Sequence, residues 1–271
     1  MNYENIIEEI LKYGPAFLLV ATRALAMIET APLISTDSVP QVAKLGLAGF
    51  IAYIVFPTSL VSSWDLSAYG LNFIFLVIGE ALIGIIMGFY ILLIFSAFTT
   101  AGQFFSLQMG FGASETFDPL AQIENPLIGQ FLNLVAILVF LYMGGFRELF
   151  LGGFWRSIQT INIISLVQGR EAVMTMLLSG LSRLFLDAMT ISLPILGTLF
   201  LTSLSTGLIS KAAPQINILS EGFPISITTA FILIFATLPF MIDIFTQMIN
   251  AGFRDIEILF IQIGVPVGEA R

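Results

Sequence analysis

Residues 66–114 read LSAYGLNFIFLVIGEALIGIIMGFYILLIFSAFTTAGQFFSLQMGFGAS, a run of 49 residues between Asp65 and Glu115 with one charge, Glu80, and no proline. At about 1.5 Å per residue a helix of this length would be roughly twice as long as a hydrocarbon core is thick. The run is therefore either two spans or one helix longer than a membrane requires. It breaks at Gln108-Met109-Gly110-Phe111-Gly112-Ala113, an amide followed by a methionine, an aromatic ring and two glycines, where a membrane protein ordinarily places a polar turn.

The rest of the 271-residue chain supports a membrane reading. It is 57% hydrophobic and 10% charged, with a mean hydropathy of +0.98, whereas soluble domains carry about 25% charged residues. Such a composition cannot cover a surface that faces water, so the chain is integral to a membrane or buried in an assembly there. The start, Met1 to Lys12, is acidic and polar without a basic leader region, so the first apolar segment is expected to be retained. Cysteine and histidine are absent. That leaves no disulfide, no thiol or imidazole metal ligand and no usual general base, so neither a catalytic site nor a cofactor or metal site is expected. The net charge of −8 argues against nucleic acid as a partner. Lys and Arg are too evenly mixed with acids to specify orientation, as around Arg147, Arg156, Arg170 and Arg183.

Six apolar segments stand out, at roughly 13–35, 42–63, 71–110, 127–146, 184–210 and 222–242. Residues 147–183 read as amphipathic helices, and 243–263 as an amphipathic tail. The fold class is all-α. A division near residue 180 separates a long, irregular part, 1–180, from an antiparallel helical hairpin with its tail, 181–271.

Gly84 and Gly88 share one helical face, a spacing that lets helix backbones approach closely in apolar surroundings. Glu80 lies one turn earlier, and a carboxylate in hydrocarbon is expensive and usually faces a partner. It either joins helices, pairs between subunits or serves ion flow. Arg23 and Glu29 lie six apart on different faces of the first segment, so each is expected to find its partner elsewhere. The segment QMGFGASETFDP, 108–119, combines glycine freedom, a deformable methionine and apolar bulk at Phe111 and Phe117. It could stop a pore, or be an ordinary connection. Pro214, Gln215 and Asn217, followed by Gly222-Phe223-Pro224, read as a turn whose amides satisfy open helix ends.

Taken in order, GEALIG at 79–84, QMGFGASETFDP at 108–119, PQIN at 214–217 and GFP at 222–224 resemble the FliR/SctT family of type III secretion export-gate membrane proteins. The resemblance spans most of the chain, and the proline and glycine forms of the last two motifs are more similar to the flagellar branch than to the virulence branch. It implies a subunit that assembles with FliP-like and FliQ-like subunits into a closed cone within the inner-membrane ring of the flagellar basal body, through which unfolded proteins are exported. The part before residue 180 would be FliP-like and the hairpin after it FliQ-like. Gln108, Met109, Gly110, Phe111, Gly112 and Phe117 would be plug residues beside a methionine-rich ring. Pro214, Gln215, Asn217, Gly222 and Pro224 would form a cytoplasm-facing turn towards FlhA or FlhB. Arg23, Glu29 and Glu80 would pair across helices or subunits. The competing reading is a small-solute secondary transporter, motivated by Glu80 and the interrupted helices.

Overall fold

The computed structural model of the chain describes residues 3–36, 39–56, 71–110, 127–213 and 218–264, with side chains from residue 13 onward and, in the last helix, from residue 222. Among them every regular element is helical. In order these are α1 (Tyr3–Thr30), α2 (Gln41–Val55), α3 (Leu71–Met109), α4 (Leu127–Tyr142) and α5 (Gly145–Arg147). A π-helix (Glu148–Trp155) follows, then α6 (Arg156–Thr160), α7 (Ile163–Gln168), α8 (Arg170–Ala212) and α9 (Ile218–Ile263).

The opening run is a single helix. α3 takes 39 residues, about 58 Å at the standard rise, because nothing in it supplies a turn: no proline occurs, and its glycines at 79, 84, 88 and 102 lie against neighbouring segments. The two later apolar segments are also longer than their hydropathy suggests. The segment 184–210 is the middle of the 43-residue α8, and 222–242 runs on through the expected tail, so one 46-residue helix, α9, replaces both. Pro194 in α8 and Pro224 and Pro239 in α9 lie inside these helices. Buried or membrane helices tolerate such prolines because neighbouring groups take up the freed backbone atoms. Gly222 and Pro224 therefore belong to the first turns of α9 and not to the turn before it.

Three of the described helices, α3, α8 and α9 from Gly222, are long and apolar enough to cross a membrane. A fourth crossing would need α4 together with Gly145–Thr160, which part at Met143-Gly144, where Gly144 adopts a left-handed conformation (φ 71°). The expected amphipathic stretch 147–183 holds the π-helix, two short helices and the start of α8. α7 opens on a capping box, in which Asn162 Oδ1 accepts from the Ser165 amide at 2.8 Å and Ser165 Oγ from the Asn162 amide at 3.0 Å.

By packing the chain forms two compact units, each built from separate stretches. The first comprises 1–92, 144–180 and 250–271; the second comprises 93–143 and 181–249. α3, α8 and α9 each continue from one unit into the other. In the first unit α2 packs on α1, and Lys44 Nζ, almost wholly buried, donates to Glu29 Oε2 at 3.1 Å and to the Ser35 carbonyl at 3.3 Å. In the second, Phe95, Phe98, Phe140 and Phe245 form an edge-to-face cluster with ring centroids 4.4–5.5 Å apart. Nearby, α3 and α4 touch backbone to backbone: a Cβ on Gly102 would overlap Gly129.

Candidate functional site

Two places concentrate the residues that the sequence singles out. The first is a polar centre inside the first unit. Arg23 on α1 is fully buried, and Glu80 on α3 is 1% exposed. Arg23 Nε donates to Glu80 Oε2 at 2.6 Å, Nη1 to Ser157 Oγ at 3.1 Å, and Nη2 to the Ile161 carbonyl at 3.0 Å. Ser157 Oγ in turn donates to the Phe154 carbonyl at 2.7 Å. One guanidinium thus ties α1, α3 and the α6 segment, and it takes the carbonyl at the extended residue Ile161 that ends α6. A buried charge persists only when paired and hydrogen-bonded, and here each nitrogen of the head group has its acceptor.

The glycine face beside Glu80 makes this centre possible. A Cβ on Gly84 would overlap the Arg23 carbonyl and crowd Ala26, and one on Gly88 would overlap Thr30 Oγ1 and the Met27 carbonyl. As α1 advances from Arg23 to Thr30, its contacts on α3 advance from Glu80 to Gly88, so the two helices run in the same sense at close approach. Glu29 does not join this centre; its partner is Lys44. The carboxylate of Glu80 is engaged by Arg23 and Glu80 is sealed from solvent, which places it among helix-joining groups within one chain.

The second place is the end of α3, in the second unit. Gln108 is exposed, Met109 is fully buried and Gly110 is half-buried. Gly110 has φ +92°, and its amide donates to the Leu107 carbonyl at 3.1 Å. This is the position just past a helix end where glycine stops the helix at little steric cost. A Cβ on Gly110 would also meet the ring of Phe223 in the first turns of α9. Two motifs more than 100 residues apart, QMG and GFP, therefore meet at Gly110 and Phe223. Pro224 is exposed and Gly222 half-buried. Phe111, Gly112, Phe117, Pro214, Gln215 and Asn217 lie outside the described residues.

Sequence reasoning missed Ser157, the Ile161 carbonyl and the contact made by Phe223. A serine and a main-chain carbonyl 134 and 138 residues from Arg23 carry no local signal. Among the described residues no group of three or more acidic side chains could hold a metal ion.

Comparison with known proteins adds a family. Residues 15–252 match the family described as bacterial export proteins, family 1. The chain is similar to the flagellar biosynthetic protein FliR of Bacillus subtilis (strain 168), at 29% identity over 262 residues, covering 96% of this chain and all of that protein. It is also similar to FliR of Escherichia coli (strain K12), at 31% identity over 84% of this chain and 87% of that protein. The surface presentation of antigens protein SpaR of Shigella flexneri is 29% identical over a shorter stretch, 59% of this chain and 61% of SpaR.

Proposed function

The chain belongs to bacterial export protein family 1, and from that premise we propose that it is the export-gate subunit of a flagellar type III secretion apparatus. It assembles in the bacterial inner membrane with FliP-like and FliQ-like subunits and lines the channel that exports unfolded flagellar proteins. The part before residue 180 acts as the FliP-like piece and 181–271 as the FliQ-like hairpin, with FlhB and FlhA as neighbours on the cytoplasmic side. It carries no catalytic step of its own; its work is to bound and close a passage.

The observation that carries the closure reading is the meeting of Gly110 and Phe223. Gly110 ends the long helix in a left-handed turn beneath an aromatic ring from α9, and it lies within the plug segment, 108–119. Gln108, Met109, Gly110, Phe111, Gly112 and Phe117 are its closing residues. The need for partners is supported by exposure: of the most apolar window of α9 only 17% is buried, and of α8 33%, against 56% in α3. The remainder requires hydrocarbon or other subunits to cover it.

Mild-detergent purification with mass spectrometry of the co-purifying chains tests the assembly. Recovery of FliP-like and FliQ-like subunits is the expected result; a lone chain that moves a small solute after reconstitution overturns it. The likeness to SpaR favours one second reading, the equivalent subunit of a virulence secretion system, although the FliR resemblance covers far more of the chain. The identity of the co-purifying subunits separates the two.

A further inference from the structure

We propose that the cleft between the first turns of α8 and the last turns of α9 receives the side chain of a lysine from a neighbouring protein chain, with Asp255, Thr175 and Ser179 as acceptors for its ammonium group. Gly169, just before α8, lies against Ile263 at the end of α9, and from there the two helices run in opposite senses within the first unit. The cleft between them measures about 360 Å³, within the roughly 300–1,000 Å³ of small-molecule pockets. On the α8 side Ala172, Thr175 and Ser179 line it. They are three and four positions apart and so share one helical face, and their short side chains leave the space towards α9 unfilled.

The polar part of the lining offers acceptors. Thr175 Oγ1 donates to the Glu171 carbonyl at 2.8 Å, and Ser179 Oγ to the Met176 carbonyl at 2.9 Å. Each hydroxyl hydrogen is thus turned back onto its own helix, and the oxygen lone pairs are what a ligand meets. On the α9 side Asp255 is the one charged residue of the lining. Tyr90 on α3, 2% exposed, donates to Asp255 Oδ2 at 2.7 Å and so steers the carboxylate. A carboxylate accepts at about four lone-pair sites, so this bond orients Asp255 without exhausting it. One carboxylate and two hydroxyl oxygens suit a cation rich in N–H donors, and an ammonium brings three.

The apolar part of the lining selects the carrier. Met176 and Leu259, both nearly buried, and Ile258 give a surface for the four-carbon stem of a lysine. The short ethanolamine head of a phospholipid would instead hold its phosphate close to its amine and bring a second negative charge towards Asp255. The chain's own lysines are Lys12, Lys44 and Lys211. Lys44 is engaged by Glu29, and Lys211, at the far end of α8, stands about 48 Å along the helix from Ser179. A neighbouring chain is therefore the source. For the existence of that neighbour the inference rests on the assembly proposed above; for the chemistry of the cleft it does not.

Carbodiimide coupling tests this, because it joins a carboxylate to a primary amine held beside it as an amide, the carbodiimide taking up the water as a urea. In the whole complex with its co-purifying subunits, peptide mass spectrometry should find Asp255 joined to a lysine of another chain. An aminophospholipid adduct, an amide to Lys12 of the same chain, or no amide at Asp255 overturns the assigned occupant. On the full chain purified alone, n-pentylamine supplies the same head and stem. Its coupling to Asp255 should saturate with amine concentration, while coupling to Glu257, exposed on the same helix, should rise in proportion. Equal, unsaturating coupling at both overturns the cleft as a site. Thr175→Val should raise the half-saturating concentration about tenfold, the worth of one hydrogen bond to a charged group; no change overturns the hydroxyl's part. Should that variant not accumulate, Ser179→Ala gives the same reading. If no subunit co-purifies, the assembly fails, whereas the n-pentylamine result still judges the cleft by itself.

Discussion

Arg23 and Glu80, 57 residues apart, meet at 2.6 Å with their side chains 0% and 1% exposed. Removing one partner of such a pair leaves an uncompensated buried charge, at a cost of roughly 3–5 kcal/mol. Arg23→Ala and Glu80→Ala should therefore each destabilise the chain strongly, and the double variant should lose less than the sum of the two. Thermal unfolding of the detergent-solubilised chain measures this. Additive losses would mean that the two groups do not depend on each other. Glu80→Gln keeps an acceptor for Arg23 Nε but removes the charge, so it should fall between wild type and Glu80→Ala.

Arg156 and Glu257 are nearly as close, 2.7 Å, yet their side chains are 45% and 50% exposed. Solvent already compensates both charges, and exposed pairs contribute about 0–1 kcal/mol. Arg156→Ala should shift the same unfolding transition by no more than this. A loss comparable to that of Arg23→Ala would show that the pair contributes as a buried one does.

The glycines of α2 and α3 make opposite predictions from one substitution. In open helix surface, glycine to alanine gains up to about 1 kcal/mol. Gly46 has nothing within 4 Å of where its Cβ would stand, so Gly46→Ala should leave the isolated chain as stable or slightly more so. At Gly84 the new methyl overlaps the Arg23 carbonyl, a backbone atom that cannot swing aside. Gly84→Ala should cost about 1–3 kcal/mol and disturb the Arg23–Glu80 contact beside it. Equal behaviour of the two variants would rule out the close approach of α1 and α3.

This contrast also marks how far the sequence can be read. The spacing of Gly84 and Gly88, one turn after a lone Glu80, announces a close helix crossing, because small residues at that interval have few other uses in hydrocarbon. The same letters do not say which helix crosses there. Arg23 and Glu29 each call for a partner elsewhere, and only packing assigns them: Arg23 lies on the face of α1 that Gly84 touches and meets Glu80, while Glu29 lies off it, towards Lys44 on α2. Helix ends were misjudged for a related reason. Hydropathy fades at Asp187, Arg183 and Arg170 at one end of α8 and at Asp243, Arg254 and Asp255 in α9, but backbone hydrogen bonding continues through charged residues. Tyr90 and Glu257 illustrate why the charged end of α9 stays helical: Tyr90 Oη donates to Asp255 Oδ2 at 2.7 Å, and Arg156 reaches Glu257. The meeting of Gly110 with Phe223 had no counterpart in local pattern.

At the end of α3 two separate effects require glycine, and they can be pulled apart. The left-handed conformation of Gly110 costs an ordinary residue roughly 1–2 kcal/mol, and the ring of Phe223 leaves no room for a Cβ. Gly110→Ala carries both penalties, whereas Gly110→Ala combined with Phe223→Ala carries only the first. In the Phe223→Ala background Gly110→Asn should be tolerated better than Gly110→Val, since asparagine adopts the left-handed region more readily than a β-branched residue. If this junction anchors the closing segment, Phe223→Ala alone should raise the resting ion conductance of the assembled gate in planar bilayers, and Gly110→Val should raise it further. An unchanged conductance in a fully assembled complex would move closure away from this end of α3. A leak in Phe223→Ala without any change in thermal stability would locate the effect at the seal itself, because a merely structural role of Phe223 would lower stability as the leak appeared.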